Sequence, residues 1–149
     1  MRRLVLLTLT LALVVASCGG SSSSGETTTD TGLPESPDRC EEAPRVVRDH
    51  LASGFVSTDL TMPWGFGVKS SDYDDVWIVA GAVQGPDDID YGTWAIRANT
   101  WPDTYLGTVS IDVIAKTASN WGEDTDIIVT QFTDGVKSAG ACATAELLG

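Results

Sequence analysis

Acidic side chains gather at three places in this chain where oxygen ligands or an acid–base pair could form. They are Asp72, Asp74 and Asp75; Asp87, Asp88 and Asp90; and Glu123, Asp124 and Asp126. A hard cation such as Ca2+ needs several oxygens converging from one tight loop. Each cluster offers two or three, and none has the twelve-residue loop with a central glycine and a distant glutamate. The first two clusters are the candidates for a metal. The plainer reading is solvated turn residues whose charge protects sheet edges. A carboxylate pair for glycoside hydrolysis must face across a groove, and no spacing here fixes such a pair. His50 is the single histidine, on a segment with helical spacing, at the edge of its apolar stripe. No Gly-x-Ser-x-Gly elbow supplies a nucleophile for it. Five tryptophans remain. Trp77 and Trp94 fall within apolar strand patterns and are expected in the core. Trp64, Trp101 and Trp121 sit beside Pro63, Pro102 and Gly122, near element ends, where partial exposure makes them a candidate binding surface for a protein or a glycan.

The first residues have a different purpose. Arg2 and Arg3 precede an apolar run, Leu4 to Val15, and then small residues and a cysteine, Val15-Ala16-Ser17-Cys18. This is the order of a secretory signal, and the run is shorter than the roughly 20 residues of a membrane span. Val15 to Cys18 resembles the lipobox of bacterial lipoproteins. With the serine-rich stretch after it, the N-terminal part is similar to lipoproteins of high-GC Gram-positive bacteria and of their phages. The resemblance implies removal of residues 1–17, a diacylglycerol on the Cys18 thiol, and a location on the extracytoplasmic face of a cell membrane. Residues 18–39 hold Ser21 to Ser24, Thr27 to Thr29 and almost nothing apolar. Such composition buries too little surface to offset its ordering entropy and reads as a disordered tether. That leaves 40–149, enough for one domain. With Cys18 lipidated, Cys40 and Cys142 form an even pair in an oxidising compartment, so a disulfide between them is expected. A Cys–His pair is then excluded with them.

Elements must be read before any of these residues can be placed. Pro44 and the stripe Val47, Leu51, Phe55 predict a helix over about 44–54, stopped by Gly54, with Glu41 and Glu42 ahead of it where a helix dipole favours acids. Residues 64–69, 76–83 and 91–97 read as strands, the middle one apolar on both sides, joined by acidic turns into an antiparallel meander. Ile111, Ile114, Ala115 and Ala118 predict a helix over about 111–120 with Ser110 as cap, although Val109, Ile111 and Val113 alternate like a strand. Ile128, Phe132 and Val136 repeat every four residues and suggest a closing helix before Cys142. The expected fold is α+β, a three-stranded antiparallel meander covered by helices on one face, its termini joined by the disulfide. It looks loosely like small secreted domains of the same organisms, a likeness with no activity to transfer.

From residue 40 onward 17 Asp and Glu stand against 6 Lys and Arg, a net of −11. Nucleic acid and anionic headgroups repel such a surface. The sequence therefore points to a lipid-anchored, non-enzymatic binding module of the cell envelope. It needs no cofactor, meets the bilayer only through its N-terminal lipid, and takes an envelope protein or glycan as partner. Exclusion of a competing phage is one form of this under the resemblance. The alternative is a small-ligand or Ca2+-binding lipoprotein using the acidic loops. Replacing Cys18 by alanine is expected to release the protein from membranes on fractionation, and retention of a processed Cys18→Ala form would contradict the lipobox.

Overall fold

Val76–Gln84 carries apolar side chains on both sides, and the rest of the domain is arranged to cover them. The computed structural model describes residues 37–122, 126 and 128–149, all in one unit, Thr31–Gly149. The signal, Cys18 and most of the tether lie outside the described residues. Five strands follow one another in a meander, each antiparallel to the next: β1 (Glu41–Glu42), β2 (Gly65–Lys69), β3 (Val76–Gln84), β4 (Ile89–Thr100) and β5 (Thr104–Ser110). Three helices accompany them: α1 (Arg45–Ser53), α2 (Val113–Ala118) and α3 (Val136–Leu148). None is long and apolar enough to cross a membrane.

The α+β class and the central meander agree with the expectation, but the sheet has five strands where three were expected. Glu41 and Glu42 form the edge strand β1 rather than a helix approach. Residues 104–110 add β5, because the turn Trp101–Asp103 folds them back along β4, pairing Ala95 with Val109 and Ile96 with Thr108. The strand alternation at Val109 thus prevails over the helical spacing. The helix after it starts only at Val113, and Asp112, not Ser110, caps it by accepting from the Ala115 N–H at 2.8 Å. The closing helix also starts later and runs through Cys142 rather than ending before it. Ile128 and Phe132 are exposed in the turns ahead of it. Gly135, at φ +94°, makes the entry into α3, and a Cβ there would also press on Ile78 and Val68 at 3.2 and 3.3 Å.

Helices cover both faces of the sheet, not one. Alternation along β3 sends Val79 and Val83 to the first face, with Trp94 and Ile96 of β4 beside them, beneath Val47 and Leu51 of α1 and Ala115 and Ala118 of α2. Val76, Ile78 and Ala80 point the other way and join Val68, Ala95 and Val109 beneath Ala139 and Ala143 of α3. One helical layer could have covered only half of these. Each large side chain fully buried here, such as Leu51, Ile78 or Ile96, contributes about 1.5–3 kcal/mol. On the first face the register places Gly65 opposite Gly81, and Gly81 opposite Gly92. A Cβ on Gly81 would lie 3.0 Å from Met62 Sδ and from the Trp64 carbonyl oxygen. On Gly92 it would lie 2.7 Å from the Trp94 ring and 3.0 Å from the Ala115 nitrogen. This row without side chains is what lets residues 62–64 and α2 lie directly on the sheet. Trp94, fully buried, donates its indole N–H to Ser119 Oγ at 3.1 Å, and Ser119 donates to the Ala115 carbonyl.

Pro37–Arg39 forms a 3-10 turn, and the Arg39 guanidinium donates to both oxygens of Asp134 at 2.7 Å and to the Lys69 carbonyl at 2.9 Å. Asp134 also accepts from the Ser71 N–H, while its own N–H donates to Asp72. Next to this knot the Cys40–Cys142 disulfide is formed, as expected, with its Cα atoms 6.6 Å apart. Closing a loop of 102 residues removes entropy from the unfolded chain worth about 4–5 kcal/mol. The disulfide and the Arg39–Asp134 pair together fasten the start of the domain to α3 and to the β2–β3 turn. The hydrogen bond from Arg39, with help from Ser71, holds the Asp134 carboxyl well below the usual carboxylate range. A depressed carboxylate stabilises the fold above its unfolded pKa of about 3.9, and that contribution falls away as pH drops toward the folded value. Asp134→Asn is expected to cost about 1–3 kcal/mol at neutral pH in urea melts, with the gap to wild type narrowing below about pH 4. A gap that is zero at pH 7, or constant down to pH 2, would contradict this role.

Candidate binding site

The three tryptophans proposed as a surface do not come together. Trp64 packs against the second face, 6.2 Å from the Phe66 ring. Trp101 and Trp121 pack against the first. Each is half-buried and has a structural partner. Trp101 stacks on Trp77 at 4.4 Å above Gly67. Trp77 is accordingly half-buried rather than in the core, whereas Trp94 is fully enclosed. Trp121 donates to the Leu51 carbonyl at 2.9 Å, which near the end of α1 also accepts from the Gly54 N–H, and a Cβ on Gly54 would collide with the indole. The tryptophans are apart because Trp64 immediately precedes β2 and joins the second face, whereas Trp101 lies in the β4–β5 turn and Trp121 follows α2, both against the first face.

His50 is likewise absorbed into packing. Its ring stacks on Tyr105 at 4.0 Å and lies 4.8 Å from Trp121, and Nε2 is 2.8 Å from Thr108 Oγ1. Burial lowers its pKa, favouring the neutral imidazole among the aromatic rings.

The acidic clusters fall at opposite ends of β3. Asp72 accepts from the Asp134 N–H, and Asp75 holds Arg97 through bonds of 3.1 and 3.2 Å. Asp74 is exposed. Beyond β3, Asp87, Asp88 and Asp90 occupy the turn into β4, where Asp88 accepts from Gly85 through its carbonyl and Asp90 accepts from the Tyr91 N–H. Asp126 reaches Arg97 from the other side at 3.3 Å. Among the described residues no three ligating side chains converge on one point. The carboxylates of Asp72, Asp75, Asp90 and Asp126 are thus engaged within the fold, while Glu123 and Asp124 lie outside the described residues.

Among the described residues a recess of about 440 Å3 lies open on the second face. It exists because α3 lies over β2, β3 and part of β4, and stops short of the junction between β5 and α2. Lys137, Gly140 and Thr144 of α3 form one wall, with Tyr91, Ile111 and Asp112 opposite. The Thr144 hydroxyl donates to the Gly140 carbonyl at 2.8 Å and lies 3.3 Å from the Tyr91 hydroxyl, whose proton is thus available to it or to a ligand. One oxygen of Asp112 is used in capping α2. Gly140 keeps the wall open, since a Cβ there would meet only Tyr91 Oη, at 3.8 Å. The Ile111 N–H donates to the Thr93 carbonyl at 2.9 Å, so the position of Asp112 follows from that of β4. The recess therefore presents an ammonium, a carboxylate, two hydroxyls and the Gln131 amide around an apolar floor. Its volume is in the range of small-ligand sites. None of these residues was a candidate for binding in the sequence, where Ile111 was read only as part of a helical stripe. The one local sign was the small-residue run Ser138 to Ala145, which indicates a helix approaching its sheet closely.

No protein-family model, curated protein or solved structure matches this chain.

Proposed function

We propose that the protein is a lipid-anchored module on the extracytoplasmic face of a cell membrane, binding an envelope protein or glycan without transforming it. The observation that carries this reading is the recess between α3 and the β5–α2 junction. It offers hydrogen-bonding groups of both kinds on facing walls, while His50, Asp72, Asp75 and Trp101 are committed to packing and turns. An aromatic wall at Tyr91 beside amide, carboxylate and hydroxyl groups suits the ring faces and hydroxyls of a sugar. The acidic surface suits a basic protein partner and disfavours nucleic acid. The lipobox-like Val15 to Cys18 and the polar stretch after it support the anchor and the tether.

A second reading, a small-molecule ligand, is favoured by the volume of the same recess. Of the acidic loops, the first and third are partly engaged by Arg97 and Asp134, which weakens the Ca2+ form of that reading.

The test is capture from solubilised envelope and from a glycan array by the whole chain in detergent micelles. Gly140→Leu is the diagnostic variant, because it fills the recess from a helix position where leucine is better tolerated than glycine. Saturable capture by wild type that is lost in folded Gly140→Leu is the expected result. Capture unchanged in Gly140→Leu would place the binding elsewhere, and capture abolished by EDTA would favour the acidic loops.

A further inference from the structure

Asp112 stands in the wall of the α3 recess with its two oxygens in different roles. Oδ1 accepts from the Ala115 N–H at 2.8 Å and caps α2. That bond fixes the carboxylate on the helix end. Oδ2 takes no partner among the described residues. The occluded side-chain atoms that lack a partner there are Arg48 Nε and Tyr105 Oη. Oδ2 is not one of them, so it is an acceptor that a ligand can reach.

The facing wall has the same polarity. A threonine hydroxyl has a single proton, and that of Thr144 goes to the Gly140 carbonyl at 2.8 Å. Its oxygen can therefore only accept, and the Tyr91 hydroxyl, 3.3 Å away, is placed to donate to it. Tyr91 Oη then keeps its lone pairs for a ligand, and the Gln131 amide adds one group of each kind. Lys137 already takes part in an interaction of its own. A ligand here must bring donors. A carboxylate or phosphate brings none, and both Asp112 and the net −11 of the domain repel it. An ammonium would share the recess with the Lys137 charge. Hydroxyls donate and accept without charge.

We propose that Asp112 makes this recess selective for a neutral sugar, which rests on reading the recess as the binding site. A ring hydroxyl donates to Oδ2, another meets Tyr91 and Thr144, and sugars carrying a charge are rejected. The helix cap gives this a sharp test. Asparagine caps a helix as well as aspartate does. In Asp112→Asn the amide oxygen must take the Ala115 N–H, so the NH2 group turns to where Oδ2 stood. The variant keeps α2 and replaces the acceptor by a donor. A free sugar and the end of a glycan chain share this chemistry.

Backbone amide resonances of Asp112, Ala115 and Gly140 report on it in the 15N-labelled whole chain, held in a detergent without a sugar headgroup. The methyl glycosides of glucose, galactose and mannose are titrated, then glucuronate, glucose 6-phosphate and glucosamine at constant ionic strength. Saturable shifts at Asp112 and Gly140 with at least one methyl glycoside, and binding of the charged sugars at least about tenfold weaker, are expected. Asp112→Asn should weaken the glycoside roughly ten- to a hundredfold, with the Ala115 amide still protected from exchange. Thr144→Val should weaken it severalfold, which keeps the proposal testable if Asp112→Asn does not fold. Tighter binding of a disaccharide of the responding sugar supports a glycan end as the source, and weaker binding supports a free sugar. Undiminished affinity in folded Asp112→Asn, or tighter binding of a charged sugar at the same amides, would overturn the proposal and leave the recess as the binding site. Amides unmoved by every methyl glycoside would overturn it too, and Gly140→Leu capture decides separately whether the recess binds at all.

Discussion

Gly65, Gly81 and Gly92 face one another across the three central strands, and this row decides how near anything can come to the first face of the sheet. Side chains there would hold residues 62–64 and α2 away by the depth of at least a methyl group. With none, Met62, the Trp64 carbonyl and the Ala115 backbone meet the strands directly. Close packing of this kind leaves no slack, so a single added methyl must displace a neighbour. The consequence reaches the opposite face. The seat of α2 on Gly92 and the Ile111–Thr93 bond bracket Asp112, and Asp112 is a wall of the recess beside α3.

A second constraint acts at the ends of the chain. The disulfide and the Arg39–Asp134 pair hold the point where the domain leaves its N-terminal segment against α3 and the β2–β3 turn. A pull on an N-terminal anchor would then load the strongest cross-links rather than the short strand β1. Much of the chemistry in this sequence is used for such fastening. Aspartates brace turns, the histidine fills an aromatic stack, and tryptophans cover a helix end and a hairpin. Among the described residues, the recess between α3 and the β5–α2 junction is lined by polar groups left over from this fastening.

The sheet was largely legible in the sequence because its central strands carry strong local signals. Val76 to Val83 is apolar throughout, Trp94 and Ile96 alternate with smaller residues, and acidic turns separate the runs. Helix α1 was legible from Val47, Leu51 and the glycine after it. β5 and α2 were not separable, since Val109 to Ala118 satisfies both periods, and only the pairing of β4 with residues 104–110 decides between them. Ile128 and Phe132 imitate a helix that tertiary structure does not use. The second helical layer followed from β3 being apolar on both sides, a signal present in the sequence but not carried to its consequence. The recess was illegible for a physical reason. It brings together residues far apart in the chain, such as Tyr91 with Thr144, through packing that no local pattern encodes.

The most direct test of this account is the thermal stability of Gly92→Ala against Gly122→Ala in the oxidised chain. Gly122 has nothing within 4 Å of a built Cβ, so its variant should melt with wild type. Gly92→Ala should lose about 1–3 kcal/mol, which for a domain of this size is a fall of several degrees or more in Tm. A Gly92→Ala protein as stable as wild type would show that α2 does not depend on the glycine row.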